Sequence, residues 1–482
     1  GPLYERALAI SERALGPEHP TVASLATNIA AHCLDSGQYP KVEPLHQRAL
    51  AIREKTFGPD HPIVAQSLNN LGNFYLRQRD YAKALQLAER ALRIYEKALG
   101  PEHPSVATAL NSLAAVHGET GEYAKAEALH ERALSIREKV LGPNHPSVAN
   151  VLASYARICR YEKKNREAES LYRRSLAVSE NALGPEHPEV TGQLVNLADL
   201  AYAEGRTDQA LEWLGRALRN RERDLARNLA GGSERAKLLY VRRARGEVDM
   251  AISLNVRLAP KAPPALRLAL EAILQRKGRA LDAMTDAIAT LRRTAGPEDR
   301  KLLEELAESR ARYSALAIRG PGREGPERHR AALAELESHV EELEGQISRR
   351  SARFRVETVM VTLDAVRDTV LPGEALVEYF QYMPIDPSAP AGKKLSAIRY
   401  IAYVLSHEGD PVWVDLGEVG DVDAAVARLR EALRDPKRGD VKRLSREVDR
   451  LVMAPVRQRL GGVRQVIVSP DGALNLVPFA AL

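Results

Sequence analysis

The first half of the chain distributes apolar and polar residues with a helical period, in blocks that recur. In 62–78, Val64, Leu68, Leu71, Gly72 and Tyr75 fall on one helical face, as do Ala84, Leu87, Ala88 and Ala91 in 81–99. A short turn separates two such stretches, for example Gly37-Gln38-Tyr39 or Gly121-Glu122-Tyr123. A pentapeptide then closes each block: GPEHP at 16–20, GPDHP at 58–62, GPEHP at 100–104, GPNHP at 142–146 and GPEHP at 184–188. Consecutive copies lie 42 residues apart. A fixed period of that size predicts a stacked array of like units. The Gly suits a left-handed position just past one helix, and the second Pro suits the first turn of the next.

Small residues fall where the helices of a pair would touch. Ala30, Gly72, Ala114, Ala156 and Ala198 share one repeat position, and Ala49, Ala91, Ala133, Ser175 and Ala217 share another. Over about residues 1–225 the pattern resembles tetratricopeptide repeats, of the 42-residue variety found in kinesin light chains and many bacterial scaffold proteins. Residues 3–15 read as the second helix of a preceding repeat. With Gly1-Pro2-Leu3 in place of an initiator Met, the natural N-terminus is expected to lie upstream. The resemblance implies a right-handed helical superhelix whose first helices take a protein or peptide ligand on their inner face. By register, the inward positions include Asn69, Asn73, Arg77, Asn111, Asn150, Arg157 and Arg160. Asn amides can pair with the backbone of an extended peptide, and Arg suits a carboxylate. Ala153 and Val195 replace the Asn of Asn69 and Asn111, so the groove is expected in the middle repeats.

The period stops near residue 225, and 226–355 reads as a helical connector. A helix is predicted over 233–258, and the next segment, 264–293, contains QRKGRALD at 275–282. Lys277-Gly278 is not a phosphate loop, since no Gly-rich run follows a strand and no Ser or Thr follows the Lys. Residues 298–318 and 327–353 form the arms of a predicted hairpin around a Gly/Pro turn at 320–326. Leu333, Leu336, Val340, Leu343 and Ile347 make a coiled-coil seam in the second arm. A hairpin within one chain is expected there, not a dimer.

From 356 the pattern turns to short apolar or alternating runs, predicted as strands: Val356–Leu363, Ala375–Tyr382, Ile398–Leu405, Val412–Leu416 and Gln465–Ser469. Helices are predicted over 421–435 and 440–460, and a loop over Pro384–Gly392. The alternation indicates an α/β domain over 356–482. The order of QRKGRALD, the charged hairpin, LPGEALVEYFQY (371–382), IRYIAYVLSHEGDPVWVDLG (398–417) and VIVSPDGALNLVPFAAL (466–482) resembles the front of a CHAT domain, the caspase-like module that bacteria attach to tetratricopeptide arrays. The resemblance implies a caspase-like cysteine peptidase with a Cys nucleophile and a His partner, both beyond Leu482. No catalytic residue is assigned within the chain, and the 482 residues by themselves are expected to be inactive.

Composition narrows the remaining choices. Aromatics make up only 5%, against 44% apolar residues, which favours helices packed through small side chains. A net charge of +6 is spread over interleaved acidic and basic residues, so direct nucleic-acid binding is not expected. Two cysteines, Cys33 and Cys159, sit three whole repeats apart; no bridge can join them, and both read as core filler in a reducing, cytoplasmic setting. No apolar run is long enough for a membrane span. His19, His61, His103, His145 and His187 recur once per repeat and cannot converge on one metal, so they read as helix-boundary residues. No metal or cofactor is expected. The expected function is a repeat scaffold that senses a protein partner and regulates an attached caspase-like peptidase; the alternative is a non-enzymatic peptide-binding adaptor.

Overall fold

The computed structural model describes residues 2–35, 38–229, 234–284, 296–319, 326–351, 361–386, 397–435 and 437–481. Its contacts define two compact units, one made of 1–193, 228–239 and 286–355, the other of 194–227, 240–285 and 356–482.

Every 42-residue block folds as a helix pair. The first helices are Pro20–Asp35, Pro62–Arg77, Pro104–Glu119, Pro146–Tyr161 and Pro188–Ala203. The second helices are Tyr39–Phe57, Tyr81–Leu99, Tyr123–Leu141, Asn165–Leu183 and Thr207–Asn228. Each first helix starts at the second Pro of a pentapeptide, and the His before it is the cap. Its Nδ1 accepts the amide hydrogen two residues on, from Thr21 (3.2 Å), Ile63 (3.2 Å), Ser105 (3.1 Å), Ser147 (3.2 Å) and Glu189 (3.3 Å). The imidazole thus does the work usually given to Ser or Asp.

One expectation about the pentapeptide needs correction. Its Gly has φ between +85° and +90°, but ψ is 154° to 158° at Gly58, Gly100, Gly142 and Gly184. That is the extended mirror region open essentially to Gly alone, not the left-handed helical region, because the chain must leave the helix straight towards the capping His. Left-handed helical angles occur instead at the turn inside the repeat, at Arg79 (φ 62°), Lys163 (φ 64°) and Gly205 (φ 71°).

Stacking is fixed by a core of alanines and a surface ladder. Ala30, Ala91, Ala114, Ala133 and Ala156 are fully buried. Arg48, Arg90 and Arg132 recur at one repeat position. They donate to the carbonyls of Pro17, Pro59 and Pro101 (3.2, 3.3 and 3.5 Å) and pair with Glu12, Glu54 and Glu96 (2.6, 2.8 and 2.7 Å). A parallel rung joins Lys55 to Glu18, Lys97 to Asp60 (2.8 Å) and Lys139 to Glu102 (2.6 Å). At the next step both charges are replaced together, by Asn181 and Asn144. The acidic residue of the pentapeptide therefore pins neighbouring repeats. Exposed pairs of this kind are individually weak and act mainly on register.

The predicted hairpin is Pro297–Arg319 against Pro326–Ser351. Leu302, Leu303 and Leu306 pack on Val340, Leu343 and Ile347, and Arg310 pairs with Glu344 at 2.7 Å. Most of its turn, 320–325, lies outside the described residues.

The second unit is built on a mixed sheet of four strands, β1 (Glu374–Tyr382), β2 (Arg399–Ser406), β3 (Val412–Glu418) and β4 (Gln465–Ser469), in the order β3-β2-β1-β4. β2 is antiparallel to β1 and β3, whereas β4 runs parallel to β1. Both faces are covered, which is why β1 and β2 read as nearly continuous apolar runs. Phe380, Tyr382, Ile401, Tyr403 and Leu405 pack towards the helices Arg245–Arg257 and Pro263–Met284 and towards Ala198, Leu214 and Leu218 of the last repeat. Ala375, Val377, Tyr379, Tyr400, Ala402 and Val404 pack on Val419–Arg434 and Val441–Val452.

Three sequence expectations differ from this fold. The strand at Val356–Leu363 is not seen: 356–360 lie outside the described residues, and Leu363–Arg367 is a helix. Thr362 caps it by accepting from Ala365 N at 3.2 Å. The helix expected over 440–460 ends at Val452 and resumes as Ala454–Arg457, because Pro455 has no amide hydrogen to continue it. The helix expected over 233–258 is two, Glu234–Arg243 and Arg245–Arg257. The segment 264–293 carries the helix Pro263–Met284; 285–293, like 387–392 of the predicted loop, lies outside the described residues.

Candidate functional site

The seven groove residues lie on three successive first helices. Asn69, Asn73 and Arg77 step four apart along Pro62–Arg77, Asn111 is on Pro104–Glu119, and Asn150, Arg157 and Arg160 are on Pro146–Tyr161. Asn111 repeats Asn69 and Arg157 repeats Asn73, one and two periods on. Arg77 and Asn150 are exposed, Asn73, Asn111, Arg157 and Arg160 are half-buried, and Asn69 is only 7% exposed. Asn69 Oδ1, Asn111 Oδ1 and Arg157 Nε are all buried, and none has a hydrogen-bond partner. Buried acceptors in that condition are uncommon in folded proteins.

The two cysteines are buried. Burial raises the Cys33 thiol, and burial followed by the charges of Glu167 and Glu127 pushes Cys159 up to about 12. Glu127, Cys159 and Glu167 bring their ligand atoms within 4.8 Å of one another. The chemistry of the set argues against an ion: the thiol is protonated, and Glu127 is already engaged by Lys164 (2.9 Å) and by the Tyr155 hydroxyl (3.0 Å). His130 is fully buried beside the Tyr155 ring, and burial, with Arg157 adding to it, holds its imidazole down near about 4. Cys33, Cys159 and His130 are core groups, as expected of the cysteines.

In the second unit the segment 275–279 has roles that sequence reading left blank. Lys277 Nζ pairs with Glu378 of β1 and donates to Ser469 Oγ (3.2 Å), Ser469 O (3.1 Å) and Pro470 O (2.9 Å). Ser469 Oγ in turn donates to Glu378 at 3.0 Å. Gln275 Nε2 donates to Val361 O (3.0 Å), and Arg279 pairs with Glu222 (2.7 Å). The Pro470-Asp471-Gly472 turn is held from the other side as well. Asp471 Oδ2 accepts from Gln381 N (2.8 Å), and the Tyr400 hydroxyl donates to Asp423 (2.9 Å) and accepts from Ala473 N (3.1 Å). A Cβ on Gly472 would sit 2.6 Å from that hydroxyl, so Gly is required. His407, just after β2, bonds through Nδ1 to Val370 O at 2.7 Å. The signal that could have found Lys277 was present: its motif and the Pro-Asp-Gly turn carry the same resemblance.

No helix among the described residues is long and apolar enough to cross a membrane. Comparison with known proteins finds the tetratricopeptide repeat model matching residues 1–55, 21–97, 64–139, 105–181 and 155–223. No curated protein matches the chain. Similar solved structures include BtubC (BKLC) of P. vanneervenii, at 23% identity over 45% of this chain and 86% of that one, with a TM-score of 0.38. A kinesin light chain of Podosopora anserina with nearly identical TPR-like repeats is 26% identical over 43% of this chain and 97% of that one, with a TM-score of 0.36. A Rap protein complexed with competence and sporulation factor is 14% identical over 70% and 81%, with a TM-score of 0.42. The family match and the fivefold period coincide, and residues 1–223 are tetratricopeptide repeats, a protein-binding scaffold.

Proposed function

We propose that the repeats hold an extended segment of a partner protein along the first helices of the middle repeats, and that its binding governs a caspase-like cysteine peptidase of the CHAT type, of which 356–482 is the front. The observation that carries the groove is the pair Asn69 and Asn111. They are equivalent residues one repeat apart, each with a buried amide oxygen and no donor. A peptide backbone supplies N–H donors in a row, and meeting a buried acceptor recovers a desolvation cost that folding alone leaves unmet. Arg157, with its own buried and unpartnered Nε, is suited to a carboxylate on the same segment.

The peptidase half of the proposal rests on the resemblance. It is supported by the contact of Lys277 with Ser469 and Pro470, which joins two of the motifs that carry it. An adaptor without peptidase chemistry would use the same groove.

The groove is tested by selecting peptides against the full 482-residue chain and titrating one calorimetrically. Replacing Asn69 and Asn111 together by Ala is expected to weaken binding by roughly tenfold or more while the circular dichroism stays unchanged. Undiminished affinity would remove the groove from these residues. The peptidase half is tested separately by reading the gene past the codon for Leu482 and assaying its full product for peptide cleavage that depends on a His and a Cys there.

A further inference from the structure

The helix Pro263–Met284 carries three cations within four residues, and the fold treats them unequally. Lys277 is matched by Glu378, and Arg279 by Glu222 at 2.7 Å in a pair whose side chains are 6% and 3% exposed. Arg276 is 8% exposed, and its Nε and Nη1 are buried with no hydrogen-bond partner. Among the described residues no carboxylate forms an ion pair with it.

The charges that act on Arg276 are Glu247 and Glu222, which favour it, and Arg221 and Arg279, which oppose it. The two carboxylates act on it more strongly than the two guanidiniums, but both are already committed. Glu222 is held by Arg279, and Glu247 by two guanidinium nitrogens of Arg221 at 2.8 and 2.9 Å. A guanidinium keeps its proton in a protein, so Arg276 cannot neutralise itself as a buried Lys would. A buried charge stripped of its partner is the costly case, more so than a buried pair or an apolar replacement. Lys277, Arg279 and Arg221 are paired, whereas Nε and Nη1 of Arg276 are not.

We propose that Arg276 is the anchor of a binding site for a singly charged carboxylate, within the second unit beside Glu222 of the helix Thr207–Asn228 and Glu247 of Arg245–Arg257. Two buried guanidinium nitrogens without an acceptor call for an acceptor that carries negative charge. The carboxylates of Glu222 and Glu247 oppose a second negative charge, which selects against a phosphate dianion. The planar guanidinium matches the two oxygens of a carboxylate. This site is separate from the repeat groove and does not depend on it.

The test is thermal unfolding of the full chain at pH 8 and constant ionic strength, in sodium chloride, sodium acetate or sodium phosphate. Acetate is expected to raise the melting temperature of the wild type above its value in chloride, and phosphate to raise it less. Arg276→Met is expected to melt above the wild type in chloride, because the unmet charge is gone, and to lose the acetate response. Arg276→Gln, which keeps a polar side chain without the charge, serves if the Met variant does not fold and must lose the response too. An equal acetate response in wild type and variant overturns the proposal. So does a wild type indifferent to acetate, or a larger response to phosphate.

Discussion

The two units of this protein handle charge in opposite ways. In the repeats, ion pairs lie on the surface and recur: Arg48, Arg90 and Arg132 make one bond pattern three times, each between neighbours in sequence. The core beneath is mainly Ala, Leu, Val and Ile, with a few single buried polar groups such as His130. In the second unit, charges and hydroxyls are buried and paired across long sequence separations. Lys277 meets Glu378, Arg279 meets Glu222, and Asn255 accepts from the Tyr403 hydroxyl at 2.7 Å. The helix Arg245–Arg257 meets the backbone that continues β1, with Asp249 accepting from Met383 N (3.2 Å) and Ser253 from Ile385 N (2.9 Å). A repeat array is stabilised as a sum of near-neighbour terms and tolerates loss of any one. A unit held by single buried pairs does not.

The sharpest test of that contrast is Lys277→Met. It leaves Glu378, 2% exposed, without its cation, and is expected to remove about 3–5 kcal/mol from the second unit. Amides of β1, β4 and 471–476 should exchange faster while those of 62–161 keep their protection. The double variant with Glu378→Gln should recover most of the loss. Equal deprotection of the repeats would break the comparison.

Acid titration should separate the units with opposite signs. Burial raises Asp249 from its ordinary 3.8 to about 6, with Arg245 and the Met383 amide opposing. Its native carboxyl keeps a proton that the unfolded chain releases, so the second unit loses stability as pH rises from about 4 to about 6, by roughly 2–3 kcal/mol. Burial lowers His130 from 6.5 to about 4. There the unfolded chain takes up a proton that the native imidazole refuses, so the repeats lose roughly 3 kcal/mol as pH falls from 6.5 towards 4. Hydrogen exchange across that range, read separately for the two units, checks both slopes. Asp249→Asn should flatten the first, and His130→Tyr, the residue type found at Tyr172 in the next repeat, the second.

The smallest effect concerns the turns. Arg79 and Lys163 hold left-handed angles where Gly121 and Gly205 stand in other repeats. Arg79→Gly and Lys163→Gly are each expected to stabilise by about 0.5–1 kcal/mol in urea unfolding, the relief of strain exceeding the added freedom of the unfolded chain. Two repeats apart, they should be additive, and a marked departure would mean the array is not a near-neighbour sum.

What could be read beforehand follows the same division. Period, helix pairs, the small-residue contacts and the boundary role of the His residues all come from local patterns repeated five times, and repetition averages out local exceptions. The hairpin seam was legible for the same reason. In the second unit the strands β1 to β4 were legible, whereas the end of the run 356–363 was not, because Leu363 opens a helix that the Thr362 side chain caps. The amide oxygens of Asn69 and Asn111 could be placed on a face by register, but their burial without a donor could not, since that depends on what packs around them.

The sequence alone determined that residues 1–223 form a repeat array, because each repeat needs only its neighbours and so carries its instructions locally. Only the tertiary structure decided what 275–279 is for. Lys277, Arg279 and the unmatched Arg276 acquire meaning from Glu378, Glu222 and Ser469, which lie 57 to 192 residues away along the chain. Buried charge is settled by proximity in space, and no periodicity announces it.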